Sequence, residues 1–463
     1  MPLPMRNTKI IATLGPASKS AEVVVEMAKE GAEVFRINFS HGTAEEWDEY
    51  VRGIREAETE RGPLSLAGDL QGPNARLGYI PSRLIEVGES LLLEPGDSTL
   101  ERDRLPIPHE EVFDVLEVGD LLLIGDGVPM LKIEEVQRRR ARAIVVKAGR
   151  ISSRASVAVL GKRIPLPLFT KKDKRDLEYA VKRGFSHLMV SFVDSPKQLI
   201  EVRRELESLG AGDVAVFAKI ETREGVRNLD EILRVSDGIV IARGDLGKHF
   251  GLEELPSLQR SLIVSARSAR KPVYVATQLL TSMLNSPVPT RSEVVDVYNA
   301  VLEGVDGLML TAETAVGAYP VEAVAWLARI STEAEKLAST TRPPATPIEG
   351  DLYFKVLEVV RDLAAKIVGE VVVYSFTGRT AEALSSLRPH GGFYVGVPND
   401  RVARRVRALW GARPIVLEAR DHKEGIEGLT HSLIKRSIAR SGSSIIRVYS
   451  EKSKIFIEVL SIE

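Results

Sequence analysis

Lys219, Glu221 and Asp245 follow two short apolar runs, and between them they offer the groups needed to hold a divalent cation and face an anion bound to it. The first run, Val214-Ala215-Val216-Phe217-Ala218, is β-branched and bounded as a buried parallel strand would be, and it leads into Lys219-Ile220-Glu221. The second, Gly238-Ile239-Val240-Ile241-Ala242, stops at Arg243-Gly244-Asp245-Leu246-Gly247. In a sheet of parallel strands joined by helices, consecutive strand ends emerge on one face, so the three charged residues should converge. Mg²⁺ takes one or two protein carboxylates and leaves its other positions to water and substrate oxygens. The competing reading is a structural Lys219–Glu221 ion pair at the end of a strand.

Six other runs place further polar groups at strand ends. Thr8 to Thr13 leads into a Gly-Pro turn and a helix that Ser18 or Ser20 would cap. Glu33 to Asn38 carries Arg36 and Asn38 two apart, hence on one side of the strand, and Ser40 continues that row. A cationic fork beside small oxygen donors suits a phosphate and a cation together, although a rim ion pair for Arg36 is the simpler alternative. Leu64 to Asp69, His187 to Ser191, Lys271 to Thr277 and Gly307 to Thr311 complete the set. Eight strands alternating with helices imply a closed (β/α)₈ TIM barrel, and polar residues at nearly every strand end fit an active site on its C-terminal rim.

Between the third and fourth strands the pattern changes to short alternating runs broken by Gly, Pro and Asp, which predicts an inserted β-rich domain over residues 72–163. Arg138-Arg139-Arg140 within it reads as an exposed turn. The barrel then comprises 1–71 and 164–340. The Pro- and Thr-rich stretch from Ala338 to Pro347 reads as a linker to a C-terminal α/β domain over 341–463.

Composition narrows the function classes. A chain of 463 residues is long enough for two or three cores, and 44% hydrophobic content is ordinary for a folded protein. With no cysteine, thiolate metal sites and cysteine nucleophiles are excluded. A net charge of −1 gives no global attraction to nucleic acid or to a membrane surface. No apolar run is long enough to span a bilayer and Met1 to Thr8 lacks a signal-peptide core, so a cytoplasmic protein is expected.

The phrases themselves resemble the pyruvate kinase family over essentially the whole chain. They include Ala218-Lys219-Ile220-Glu221-Thr222, Ile241-Ala242-Arg243-Gly244-Asp245-Leu246-Gly247, Arg36-Ile37-Asn38-Phe39-Ser40-His41-Gly42, Ala276-Thr277-Gln278-Leu279-Leu280-Thr281-Ser282-Met283 and Thr311-Ala312-Glu313-Thr314-Ala315. The resemblance implies phosphoryl transfer from phosphoenolpyruvate to ADP, a mobile lid, a regulatory C-terminal domain and a homotetramer. By family position Glu221 and Asp245 bind Mg²⁺ (or Mn²⁺), and Lys219 and Arg36 face the phosphoryl group. Gly244 and Asp245 offer backbone N–H groups to the substrate carboxylate, and Thr277 lies near the carbon that is protonated. Asn38, His41, Arg76, Lys172 and Pro16 match nucleotide-contacting positions.

Two departures from the family pattern carry expectations. Members that require K⁺ have Thr, Lys and Glu where this chain has Leu70, Gln71 and Asn74. Asn38, Ser40, Asp69 and the Leu70 carbonyl still offer oxygens for K⁺, but weak or absent K⁺ dependence is expected. Asn74 stands where K⁺-independent members usually carry Lys. In the C-terminal domain, Thr377, Gly378, Arg379 and Thr380 resemble a phosphate-cradling effector loop. The Gly-rich loop that covers fructose 1,6-bisphosphate is missing, because Ser441-Gly442-Ser443-Ser444 runs directly into the final strands. Activation by that sugar bisphosphate is therefore not expected. The alternatives are another Mg²⁺-dependent barrel acting on pyruvate or phosphoenolpyruvate, and a non-catalytic metabolite sensor; loss of Lys219, Glu221 or Asp245 would favour the sensor, and all three are present.

Overall fold

The computed structural model describes residues 6–125, 127–162, 164–167, 169–338, 352–367, 369–451 and 454–462. The predicted linker beyond Ala338 lies outside them.

Eight parallel strands close into a barrel: β1 (Lys9–Thr13), β2 (Val34–Asn38), β3 (Ser65–Leu70), β4 (His187–Val190), β5 (Ala215–Ile220), β6 (Gly238–Ala242), β7 (Val273–Ala276) and β8 (Gly307–Leu310). Each pairs in parallel with its sequence neighbours, and β8 closes on β1. The sequence placed the end of the fifth strand at Ala218; the ladder runs two residues further, pairing Lys219 with Val240 and Ile220 with Ile241. Lys219 is thus held by backbone hydrogen bonds on a rigid element instead of hanging from a loop.

Period-two alternation then explains much of the rim. The barrel interior is filled by Ile11, Val34, Ala67, Met189, Phe217, Val240, Tyr274 and Met309 among others. Residues two further along share the inward face, and on five strands they are Thr13, Arg36, Asp69, Ser191 and Lys219. An apolar plug therefore grades into a polar rim along the same stripes. Phe217 stacks on Tyr274 with centroids 4.9 Å apart, and Gly238 makes room for that ring, since an added Cβ would lie 2.4 Å from it. Helices cover the outside through a second, larger cluster. Ser20 caps the helix Ala21–Lys29, while Ser18 sits in the preceding 3₁₀ turn Pro16–Ser18. Thr170 and Asp173 form a capping box at the start of Lys171–Lys182.

After β3 the chain builds a six-stranded sheet and a two-stranded ribbon around a separate apolar cluster from Ala75 to Leu166. Arg138, Arg139 and Arg140 are exposed where Met130–Gln137 turns into Arg140–Lys147. The C-terminal unit is a five-stranded sheet, parallel except for its last strand, with helices packed on it. It seats on the N-terminal end of the barrel, where Tyr274 donates to the Ala408 carbonyl at 2.8 Å and Arg404 pairs with Glu58 at 2.8 Å.

Candidate active site

Three rim residues from three strands meet around one ammonium. Lys219 Nζ donates to Ser191 Oγ at 2.8 Å and lies 3.2 Å from Asp69 and 3.1 Å from Glu221 Oε1. Burial works against its charge, but Asp69 and Glu221 outweigh burial and keep the cation firmly protonated. Asp69 also accepts from Arg36 Nε at 2.7 Å, and Arg36 reaches Thr13 Oγ1 at 2.9 Å. Burial pushes Asp69 up, yet Lys219 and Arg36 bring it below the usual carboxylate range. Arg36 is therefore a buried partner of Asp69 as well as a rim cation, which joins the two readings that its sequence left open.

Glu221 is the least satisfied group in the cluster. It is 1% exposed. Its Oε2 accepts the Phe192 N–H at 2.6 Å, while its buried Oε1 accepts no aligned hydrogen bond, the Lys219 contact being ionic. Burial, with Asp245 and Asp69 nearby, pushes Glu221 up to about 7 despite Lys219. Burial also raises Asp245, but Lys248 at 2.8 Å and Lys219 hold it below the usual range. Two carboxylates this close resist joint ionisation, and a divalent cation between them would remove that cost. Among the described residues no group of three or more His, Asp or Glu side chains forms a metal cage. A two-carboxylate set with one orphaned oxygen fits Mg²⁺, which keeps several positions for substrate and water.

Thr277 stands across from this cluster in an unusual conformation. It has φ 71° and the following Gln278 has φ 54°, two left-handed residues in succession without a glycine. Each costs about 1–2 kcal/mol, so something must hold them. The Thr277 hydroxyl accepts the Gly244 N–H at 2.8 Å. That contact brings Thr277 and the β6 end together, and it also engages one of the two N–H groups expected to meet a substrate carboxylate.

The expected nucleotide positions gather on one side. His41 reaches solvent at one edge, while crowding of the rest of its ring and then the cations Arg76, Arg36, Lys172 and Arg154 push it toward the neutral form. Arg76 donates to the Arg154 carbonyl at 2.8 Å and keeps a buried Nε without a partner. Burial and Arg154 lower its charge affinity, with Asp245 opposing them. Lys172 is instead tied to Asp176 and to the Phe39 carbonyl, both at 2.5 Å. Asn38 accepts the Ser40 N–H at 3.1 Å, Leu70 is buried at the strand end, and Pro16 is exposed. The residues Thr377, Gly378, Arg379 and Thr380 lie between the strand Glu370–Tyr374 and the first turn of the next helix in the C-terminal unit. Gly378 caps the helix Arg379–Leu387 with φ 87°, and Thr380 meets the Tyr353 hydroxyl at 3.2 Å.

Three groups escaped sequence reasoning as site residues. Ser191 and Arg243 were visible only as polar strand ends, and Glu313 only as part of the phrase Thr311-Ala312-Glu313-Thr314-Ala315. Glu313 is 2% exposed and accepts the Leu280 and Thr311 N–H groups at 3.1 and 2.9 Å, pinning the loop after Thr277. A cavity of about 100 Å³ lies at the opposite, N-terminal end of the barrel among His187, Asp306, Arg388 and Arg405. It contains none of the charged rim groups, so the chemistry is assigned to the rim.

Comparison with known proteins is consistent along the chain. The family described as "Pyruvate kinase, barrel domain" matches residues 5–324, and "Pyruvate kinase, alpha/beta domain" matches 355–455. A pyruvate kinase of Aeropyrum pernix is 40% identical over 98% of this chain and 99% of its own length. One of Methylorubrum extorquens is 38% identical, covering 89% and 87%, and one of Thermococcus litoralis 34%, covering 94% and 93%.

Proposed function

This chain belongs to the pyruvate kinase family and catalyses phosphoryl transfer from phosphoenolpyruvate to ADP in glycolysis, giving pyruvate and ATP; from that premise we propose how its own residues do so. The observation that carries the assignment is the buried Oε1 of Glu221, which has an ionic contact with Lys219 but no aligned hydrogen bond, beside Asp245. Glu221 and Asp245 would hold Mg²⁺ or Mn²⁺, which supplies neutralisation of the charge spread over the transferring phosphoryl oxygens. Lys219 and Arg36 orient that phosphoryl group from the protein side, held in place by Asp69 and Ser191. The Asp245 N–H, with Gly244 allowing close approach, meets the substrate carboxylate. Thr277 positions the proton delivered to the enolpyruvate carbon. His41, Arg76 and Asn38 receive the nucleotide, and Lys172 joins them only on leaving Asp176. Pro16 borders the adenine.

The test is pyruvate formation from phosphoenolpyruvate and ADP with Mg²⁺, in potassium-free buffer and with K⁺ at matched ionic strength. We expect turnover in both. The Asp69 carboxylate is already engaged by two cations, which supports weak use of a K⁺ site at Asn38, Ser40, Asp69 and Leu70. A many-fold rise with K⁺ would reject that reading and leave the reaction intact; no turnover in either buffer would reject the reaction.

The remaining assignments concern organisation. We take 1–71 with 164–340 as the catalytic barrel, 72–163 as a lid and 341–463 as a regulatory domain. A homotetramer in the cytoplasm is the expected state. No helix among the described residues is long and apolar enough to cross a membrane. A phosphorylated effector other than fructose 1,6-bisphosphate would use Thr377, Gly378, Arg379 and Thr380, whose exposed Thr377 and Arg379 flank a helix start. Strong activation by fructose 1,6-bisphosphate in a metabolite titration would overturn this.

A further inference from the structure

Arg243 looks like one more cation available to an anionic substrate, since it stands at the end of β6 directly before Gly244 and Asp245. Its hydrogen bonds say otherwise. A guanidinium has five N–H groups in a fixed fork. Here Nε and one Nη reach the Thr277 carbonyl at 3.2 and 2.8 Å, and that same Nη reaches the Gln278 carbonyl at 2.9 Å. The other Nη meets both oxygens of Asp296, at 2.9 and 2.7 Å. Every donor is spent inside the protein, and the side chain is 12% exposed.

The two carbonyls it holds belong to the two successive residues with positive φ, Thr277 at 71° and Gln278 at 54°. A left-handed pair turns consecutive carbonyls toward one side, where a planar fork can take both. The residue after Arg243 grips the same threonine through its hydroxyl, because the Gly244 N–H donates to Thr277 Oγ1 at 2.8 Å. The β6 end therefore fixes Thr277 twice, by backbone and by side chain, with Asp296 anchoring the fork from behind.

We propose that Arg243 is a positioning residue for the protonation half of the reaction: its fork holds Thr277 and Gln278 in the strained conformation that aims the Thr277 hydroxyl at the enolpyruvate carbon. This rests on the role given to Thr277 above, and the test separates the two. A lysine keeps the charge but presents a single ammonium that cannot bond both carbonyls and Asp296 in one plane. Arg243→Lys should lower kcat about 10- to 100-fold, as a misplacement of the order of 1 Å would. KM for phosphoenolpyruvate should change far less. The distinguishing readout is stereochemical. With phosphoenolpyruvate tritiated stereospecifically at C3 and turned over in D₂O, the wild-type enzyme should deuterate one face, giving methyl-chiral pyruvate. Thr277→Val and Arg243→Lys should both give partly racemic methyl groups, as enolpyruvate ketonises without a directed proton.

The strain supplies a second variant. Gln278 is exposed and left-handed, so Gln278→Gly removes the steric cost of that conformation. Added to Arg243→Lys, it should restore part of kcat and of the facial selectivity, and it serves in place of the single variant if Arg243→Lys alone does not fold. Racemisation in Thr277→Val with full selectivity in Arg243→Lys would overturn the role of Arg243 alone. Full selectivity in Thr277→Val would overturn the role of Thr277 itself. Loss of selectivity in Arg243→Lys that Gln278→Gly leaves unchanged would show that Arg243 does not act through the strained backbone, and would equally overturn the proposal.

Discussion

At the C-terminal ends of the barrel strands, buried Glu221 has an oxygen with no aligned hydrogen bond and is pushed up to about 7 by burial and neighbouring carboxylates. At the N-terminal ends, Glu33 and Glu58 feel the same upward push of burial, yet Lys9 and Arg404 hold each below the usual range. Both ends place carboxylates under the same sheet, so burial alone does not separate them. The difference is pairing. The lower end satisfies its charges with bidentate or short contacts, such as Arg404 on both Glu58 oxygens and Arg388 on Asp306 at 3.0 Å. The rim leaves one Glu221 oxygen with an ionic contact to Lys219 alone; positive φ does not separate the ends, since Phe192, Thr277 and Gln278 at the rim and Arg388 at the base all have it. A buried carboxylate with an incompletely bonded oxygen sits where a ligand has to complete the structure.

Variants at the two ends should therefore fail in different ways. Glu221→Gln keeps the shape and removes the buried charge. Mg²⁺-dependent turnover should fall by about 10²-fold or more, the scale of losing one preorganised electrostatic group, while the melting temperature stays level or rises. A large drop in melting temperature would mean that this carboxylate is structurally satisfied, and the contrast would collapse. Arg404→Ala should do the reverse, costing about 1–2 kcal/mol in denaturant unfolding, since Glu58 loses its bidentate partner but keeps Arg55 and the Leu64 N–H, with kcat close to wild type.

Within the barrel interior, Gly238→Ala pushes a methyl against the Phe217 ring that Tyr274 backs, and about 1–3 kcal/mol of stability should be lost. A neutral effect on urea unfolding would show that the ring can move aside. A further contrast concerns acid. His187 is buried at the base and kept neutral, pushed down to about 3 by burial first and then by Arg405, with Asp237 opposing. Below pH about 6.5 the unfolded chain gains a proton that the fold refuses, so stability is lost as pH falls from there toward about 3, at roughly 1.4 kcal/mol per pH unit, and nothing changes above. His187→Gln should flatten that limb of the stability profile. Identical slopes for variant and wild type would remove His187 from the account.

Much of this was legible in the sequence because strand and rim share one code. Short apolar runs ending in polar residues marked all eight strands, and period two carried Phe217 to Lys219 and Val34 to Arg36. The inserted sheet and the C-terminal sheet were visible for the same reason. What stayed hidden depends on backbone geometry across elements. No residue type announces that Thr277 and Gln278 are left-handed, so the work of Arg243 and Glu313 could not be read. The Lys172–Asp176 pair has ordinary helical i,i+4 spacing, yet nothing in that spacing says that it competes with a nucleotide role. The end of β5 was misplaced because Lys219 interrupts an apolar pattern from within a strand whose ladder continues past it.

The most direct measurement is pyruvate formation by Lys219→Met beside wild type, with Mg²⁺, phosphoenolpyruvate and ADP, while Mn²⁺ binding is followed in parallel. With Glu221 and Asp245 both present, metal binding should persist while turnover falls by about 10³-fold, since the one ammonium shared by Ser191, Asp69 and Glu221 is gone. Near wild-type turnover in that variant would contradict the assignment of the rim as the catalytic centre.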